Sequence, residues 1–344
     1  MQAKIHPRIR LQRPQLEQRI PLDVPFIINV DPSDRCNLQC KFCPTGDHDL
    51  MRVTEGRNHG PMKFDLFKKV VDDICHFERP VKVLRLYKDG EPLSNPRFAD
   101  MVRYAKEKNC SEAIDTTTNA ILLTRKMTDD IIEAGLDRMN ISIYGMSTDQ
   151  YVEFSGRKVR FDELVRNIRY LYENGGDKLV INIKINSDVV PGATRDKFYQ
   201  SFGDICHEIN DEHVMSCWSG FDYDAHGVEV NQTVGIYGQT LPSEVLVCPY
   251  VFYSFSINSD GTASTCFLDW DRQRRIGDTK TESVVDIWHG AQLRAWQEMM
   301  LRGERKNSPL CGSCGQLTHG SPDNIDPYRE ELLAKLVQIQ TAAP

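Results

Sequence analysis

No stretch of the 344 residues approaches the ~18 consecutive apolar residues of a membrane span. The N-terminus carries positive charges but lacks the apolar segment of a secretory signal. These absences predict a cytoplasmic protein with no membrane partner, in a compartment where thiols stay reduced. A positive excess is also missing. Against 49 Asp and Glu there are 42 Lys and Arg, a formal net charge of −7, and phosphate contacts need clustered cations, so no nucleic-acid partner is expected. Arg8, Arg10, Arg13 and Arg19 form a local exception, read as a solvated lead-in. The chain has no low-complexity tract and no internal repeat beyond an alternation of β and α patterns.

Hydrophobic residues make up 40% and charged residues 26%, enough for a globular protein with a sizeable core. The length allows two ordinary domains, or one large domain with an appendage. Strand-like runs at 26–30, 81–87, 113–117, 139–143, 179–185 and 214–218 alternate with helical patterns. Phe67, Val70, Val71 and Ile74 share one helix face. Asn95 and Pro96 read as a cap and first helical residue before Phe98, Met101, Val102 and Ala105. A further helix ends at Gly135, the next carries Phe161, Leu164, Val165, Ile168 and Leu171, and the last Phe198, Phe202, Ile205 and Ile209.

Six β/α units in series predict an α/β fold with a parallel sheet. A complete eight-unit barrel takes about 250 residues, so a partial (β/α)6 barrel with a small C-terminal cysteine-rich domain is preferred over an open doubly wound sheet. The expected divisions are a lead-in at 1–25, the barrel at 26–218, a polar connection at 219–247, the cysteine-rich domain at 248–320, and 321–344 with a closing amphipathic helix at 326–340.

Eleven cysteines in a reducing compartment point away from a disulfide framework, and seven of them form two spaced groups that point to metal. Cys36, Cys40 and Cys43 stand as C-x3-C-x2-C on the loop after the first strand, where parallel barrels place their catalytic groups. Three thiolates can hold three irons of a cubane and leave the fourth open, whereas closed structural sites use four protein ligands. A zinc site with a missing ligand is the alternative.

This spacing, with Phe42 before the last cysteine, resembles the signature of the radical S-adenosylmethionine superfamily. The resemblance implies that Cys36, Cys40 and Cys43 bind a [4Fe–4S] cluster, that S-adenosylmethionine chelates the open iron, and that Phe42 lies beside the adenine. Tyr87 to Pro92, at the end of the second strand, resembles the family's Gly-Gly-Glu-Pro motif, which accepts hydrogen bonds from the cofactor ammonium. Gly90 and Glu91 match, while Asp89 stands where the family usually has its first glycine. Ser142 matches the family's ribose-contacting serine. Arg157 is expected to reach the cofactor carboxylate, and Lys184 or Asn186 to face the same cavity. Each of these could equally be an ordinary strand or surface residue.

Cys248, Cys266, Cys311 and Cys314 follow a different pattern, C-x17-C, a gap of 44 residues, then C-x2-C. With Gly261, the stretch from Arg275 to Asp278 and that from Asp286 to Trp288, they resemble the SPASM cluster domain in its shorter twitch form. The resemblance implies one auxiliary [4Fe–4S] cluster, and a four-thiolate zinc site is the alternative. Of the remaining cysteines, Cys75 and Cys206 read as buried core residues on helix faces, and Cys110 lies in a loop. Cys217, on the sixth strand, is either core or a hydrogen donor.

In the family, an electron from an external donor such as flavodoxin or ferredoxin leads to a 5′-deoxyadenosyl radical that abstracts hydrogen from substrate. Oxidation of an alcohol to a ketone also needs a proton acceptor, and Asp222, Asp224 and His226 on the connection are candidates, or else a solvated polar loop. Only 25 residues precede the first expected strand, which favours a small polyhydroxylated substrate, a carbohydrate or cyclitol, over a peptide. The layout most resembles the family's aminocyclitol alcohol dehydrogenase of butirosin biosynthesis. A redox-neutral epimerase using Cys217 and a peptide- or protein-modifying maturase are the competing readings.

Overall fold

The computed structural model describes residues 2–6, 15–186, 188, 194–231, 233–242, 244–320 and 323–342. Ten strands form one continuous sheet in the order β1-β7-β6-β5-β4-β3-β2-β8-β9-β10. Its centre is six parallel strands, β2 (Ile27–Val30), β3 (Val81–Arg85), β4 (Ser111–Thr118), β5 (Arg138–Ile143), β6 (Val180–Asn186) and β7 (Glu208–Glu212). This is the partial barrel expected, with helices on its outside.

The crossover helices form because each buries one apolar stripe. In α2 (Phe64–Ile74) and α3 (Phe98–Lys108), which follow the short α1 (His48–Val53), the buried side chains are those the periodicity selects. Each such side chain contributes about 1.5–3 kcal/mol on leaving water. Asn95 accepts from the Arg97 amide and closes a turn, so α3 begins two residues later than its cap signal suggests. Thr124 caps α4 (Arg125–Ala134), and Gly135 ends it at φ 84°, a conformation that a Cβ disfavours. The connection from β5 to β6 uses two helices, α5 (Thr148–Ser155) and α6 (Phe161–Gly175).

The sixth strand is not where the sequence pattern put it. Residues 214–218 are irregular, and β7 lies at Glu208–Glu212. Its helix, α7 (Thr194–Phe202), stops before Ile205, and Ile209 belongs to the strand. The strand was hidden because Ile209 is its single apolar residue, with Asn210 and Glu212 buried beside a polar barrel interior.

The lead-in is not simply solvated. A two-residue strand β1 (Lys4–Ile5) pairs in parallel with Glu208 and Ile209, and Leu16, Ile20 and Val24 are buried. Arg8, Arg10 and Arg13 lie outside the described residues. Nor does the cysteine-rich region stand apart. Its first strand, β8 (Ser254–Ile257), pairs in parallel with β2, and β9 (Thr262–Ser264) and β10 (Arg275–Asp278) continue the sheet antiparallel. The closing helix runs over Arg329–Ala342. Its Leu332 and Leu336 join Leu16, Ile20, Tyr250, Val251, Met300 and Leu301 in a second core, separate from the one under the barrel.

Candidate active site

The loops at the C-terminal ends of β2 to β7 enclose a cavity of about 320 Å³. Its lining brings together Cys36, Cys40, Cys43, Phe42, Gly90, Glu91, Ser142, Lys184 and Asn186, and also Cys217. The cysteine loop is held from two sides. Gln39 N–H donates to the Ser155 carbonyl at 2.8 Å, at the end of α5, and Glu91 N–H donates to the Arg35 carbonyl at 2.8 Å. At Gly90 an added Cβ would press on the carbonyl oxygens of Ser33 and Arg35 and lie 2.7 Å from the Arg35 nitrogen. Glycine is therefore required for the motif loop to lie against the cysteine loop.

Glu91 is buried, and its carboxylate is already engaged. It accepts from the Thr118 hydroxyl at 2.5 Å, the Asn119 amide at 2.8 Å and the Leu93 amide at 3.0 Å. Burial pushes its pKa up to about 7, and these hydrogen bonds oppose the rise. The carboxylate thus ties the motif loop to the end of β4, leaving mainly backbone groups to meet a cofactor ammonium. Burial likewise pushes the Cys36 thiol up to about 12 and Cys40 well above its ordinary value. Loading metal here must release protons.

Phe42 packs against Tyr144, ring centroids 5.6 Å apart, two residues beyond Ser142 on the same strand direction. Across the cavity, Lys184 Nζ lies 2.6 Å from Glu212 Oε2, and Arg85 Nε lies 3.2 Å from Asp115 Oδ2. Glu212, Asn119 and Tyr144 were missed by sequence reasoning. The position of Asn119 just past β4 and the strand period from Ser142 to Tyr144 were usable signals, whereas Glu212 depended on placing β7.

Four expected residues are not brought to the cavity. Arg157 is exposed on the turn after α5. Asp222 is exposed and accepts from the Ala225 amide at 3.0 Å, as in a solvated turn, and Asp224 is exposed beside it. His226 stacks on Phe221 and reaches Asp47 at 3.4 Å. None of the three candidate bases lines the cavity, because residues 214–228 leave the sheet in an irregular path instead of ending a strand. Cys75 is exposed, not core, while Cys110 and Cys206 are buried.

A second cavity, of about 40 Å³, is lined by Cys248, Cys266, Cys311 and Cys314. Arg305 donates to the Cys311 carbonyl and to that of Val245, which brings positive charge to the thiols. Cys217 lines both cavities, and its carbonyl lies 3.6 Å from Cys314 Sγ. Among the described residues no three His, Cys, Asp or Glu side chains stand close enough to share a single metal ion. The two cysteine sets instead surround cavities. Three thiols beside an open space, and four around a closed one, fit an open cluster and a fully ligated cluster.

Between the two sites lies a buried ionic group that explains the missing glycine of the motif. Asp89 Oδ2 is 2.8 Å from Arg272, 3.0 Å from Lys88 and 3.6 Å from Arg57. Arg272 also reaches Asp31 at 3.8 Å and Asp34 at 4.0 Å. Asp34 in turn accepts from the amides of Asn58, His59 and Gly60 at 2.8, 3.1 and 2.7 Å. Burial, with Asp89 adding to it, pushes Asp31 up to about 7.

Fold and thiols together define an iron–sulfur protein with a barrel-mouth cofactor cavity. The model of the radical SAM superfamily matches residues 30–205, and that of an iron–sulfur cluster-binding domain, SPASM, matches residues 248–315. The chain is 31% identical over 156 residues to the tungsten-containing aldehyde ferredoxin oxidoreductase cofactor-modifying protein of Pyrococcus furiosus, covering 44% of this chain and 41% of that protein. It is 29% identical over 171 residues to GTP 3′,8-cyclase of Clostridium perfringens, covering 49% and 48%. It thus spans about half the length of the curated relatives it matches. Two solved structures share the fold. BtrN in complex with AdoMet and 2-DOIA gives a TM-score of 0.57 at 17% identity, over 88% of this chain and 98% of that one. Native anSMEcpe with bound AdoMet gives 0.55 at 15%, over 92% and 99%.

The chain belongs to the radical SAM superfamily and carries a SPASM domain. Its cofactors are accordingly S-adenosylmethionine with a [4Fe–4S] cluster, and an auxiliary cluster in the SPASM region, so zinc is set aside at both cysteine groups. No helix of the described residues is long and apolar enough to cross a membrane.

Proposed function

We propose that this enzyme oxidises an alcohol of a small polyhydroxylated molecule, a sugar or cyclitol, to a ketone. The observation that carries this reading is the Lys184–Glu212 pair, which supplies a carboxylate inside the cavity after the expected bases have proved to lie outside it. The likeness to BtrN over nearly all of that chain supports the same architecture for the same class of reaction.

When bound, the cluster at Cys36, Cys40 and Cys43 with S-adenosylmethionine supplies a radical that takes a substrate hydrogen atom, and the cluster at Cys248, Cys266, Cys311 and Cys314 supplies an electron acceptor. An external donor such as flavodoxin or ferredoxin provides the starting electron. The chain's own residues do the rest. Asn186, Asn119 and Arg85 line the cavity and offer hydrogen bonds to substrate hydroxyls. Glu212 accepts the hydroxyl proton as the carbonyl forms, and Lys184, 2.6 Å away, orients it.

The test is a set of sugars and cyclitols carrying deuterium at each carbinol carbon in turn, incubated anaerobically with the reconstituted enzyme. A ketone lighter than substrate by one pair of hydrogens, with the deuterium found in 5′-deoxyadenosine, is the expected outcome. A second reading is favoured by Cys217, whose buried thiol borders both cavities. If product keeps the substrate mass and gains deuterium from heavy water, and Cys217→Ala abolishes it, the enzyme is an epimerase instead.

A further inference from the structure

The Asp89 carboxylate belongs to the cofactor-motif loop, and its shortest contact with a cation, 2.8 Å, is to Arg272, a residue of the SPASM region. We propose that Arg272 is a positioning residue for S-adenosylmethionine: by holding Asp89 it sets the backbone at Lys88 to Gly90, so that the cofactor binds tightly only while the SPASM region is docked on the barrel. The inference rests on the assignment of the cavity to S-adenosylmethionine.

Several independent observations support it. Lys88 and Asp89 are side chains of the loop whose next residue, Gly90, lies against the cysteine loop without room for a Cβ. A shift of that loop therefore moves both the cofactor backbone contacts and the loop that holds the cluster. The link to the SPASM region is repeated. Lys88 Nζ donates to the Asp269 carbonyl at 2.9 Å, and Arg57 donates to the Trp270 carbonyl at 2.8 Å. Both carbonyls lie just past Cys266, a cysteine of the auxiliary set.

Three acids (Asp31, Asp34, Asp89) face three cations (Arg57, Lys88, Arg272), all buried. Removing one partner leaves a buried charge unbalanced. Finally, Arg272 has φ 61°, a left-handed backbone that an arginine holds only where its surroundings over-determine it, as at functional sites. Its side chain is fixed further by the Asn258 carbonyl oxygen of the amide group. A strained residue, inserted from one region into a buried pocket of acids on another, is the arrangement of a latch.

The experiment uses the anaerobically reconstituted full chain. Equilibrium binding of S-adenosylmethionine, and the change it makes in the paramagnetic resonance spectrum of the reduced cluster, are measured for wild type, Arg272→Gln, Arg272→Lys and the double variant Asp89→Gly/Arg272→Gln. Arg272→Gln is expected to weaken binding by about tenfold or more, with iron content unchanged and turnover at saturating cofactor affected less than KM. Arg272→Lys, which keeps the charge, is expected to recover part of the loss. So is the double variant, which removes the stranded carboxylate and restores the glycine usual in the family.

Affinity within about twofold of wild type in Arg272→Gln overturns the proposal. If Arg272→Gln does not stay soluble, Arg272→Lys decides alone: unchanged affinity and an unchanged spectrum overturn the proposal, and weakened affinity with full iron supports it. Loss of the spectral change in wild type would instead refute the cofactor assignment.

Discussion

Asp34 provides a quantitative test of the ionic group between the two sites. Its Oδ1 accepts from Gly60 N–H at 2.7 Å, and its Oδ2 from Asn58 at 2.8 Å and His59 at 3.1 Å. In Asp34→Asn the amide keeps the shape but only one acceptor oxygen. Placed at Oδ2, that oxygen serves Asn58 and His59, and the new NH2 then faces the Gly60 N–H. One buried donor is stranded, at a cost of about 1–3 kcal/mol. The substitution also removes one acid from those that face the three cations. Arg57 and Arg272 stand at 3.9 and 4.0 Å from the carboxylate, so this part lies below the roughly 3–5 kcal/mol of a tightly paired buried ion left alone.

The expected total is about 3 kcal/mol, a large share of a stability of roughly 5–15 kcal/mol. Anaerobic denaturant unfolding of wild type and variant at matched cluster loading measures it, from the shift in midpoint at constant slope. A change below about 0.5 kcal/mol would show that the carboxylate does not hold residues 57–60 onto the cysteine loop, and the electrostatic account of this region would be wrong.

Reconstituted protein should hold about eight irons per chain, falling to about four when Cys36, Cys40 and Cys43 are all replaced by Ala; four irons and one zinc in wild type would contradict this. Glu212→Gln should leave S-adenosylmethionine cleavage in place while ketone formation falls by about two to four orders of magnitude, the scale of general base catalysis, as product analysis would show. Gly90→Ala should abolish cofactor binding measured by equilibrium dialysis, because the added Cβ meets backbone rather than a movable side chain. The buried acids also set a pH dependence. Glu91 and Asp31 both have folded pKa values of about 7, above their ordinary values of 4.5 and 3.8. Their stabilisation is therefore present at low pH and lost as pH rises through about 7. The denaturation midpoint without cofactor should fall across that window, and Glu91→Gln should flatten the fall.

The cysteine sets and the motif loop were legible because their chemistry is local: the spacing of Cys36, Cys40 and Cys43 is fixed within one loop, and that loop follows a strand any period-2 pattern reveals. Five of the six barrel strands were equally plain, since their outward residues, such as Ile181, Ile183 and Ile185 of β6, are apolar and packed under amphipathic helices. The sixth was not, because Glu208–Glu212 has Ile209 as its single apolar residue, and a strand with acids on both faces reads as loop. That one error displaced the proposed proton acceptor. Sequence reasoning sought it among Asp222, Asp224 and His226, past a strand that does not exist, while Glu212 ended the real one. Arg272 and Asp89 could not have been paired from sequence at all. Their contact joins residues 183 positions apart in the chain through the docking of two regions, and only the departure of Asp89 from the motif hinted at a partner.

A barrel that stops short of closure leaves two raw strand edges, and exposed edges invite pairing with other chains. Here both are covered by segments from outside the barrel: β1 lies along β7, and β8 lies along β2. The guard on the β2 edge belongs to the same region that supplies the auxiliary cysteines. Cutting the chain before β8 would therefore not release a working barrel with one cluster fewer. It would uncover four residues of β2 directly beneath the cysteine loop, and the expected result is an aggregate. The auxiliary region is in this sense a missing wall of the barrel before it is a cluster site, so the second cluster can change or be lost only in ways that leave β8 in place.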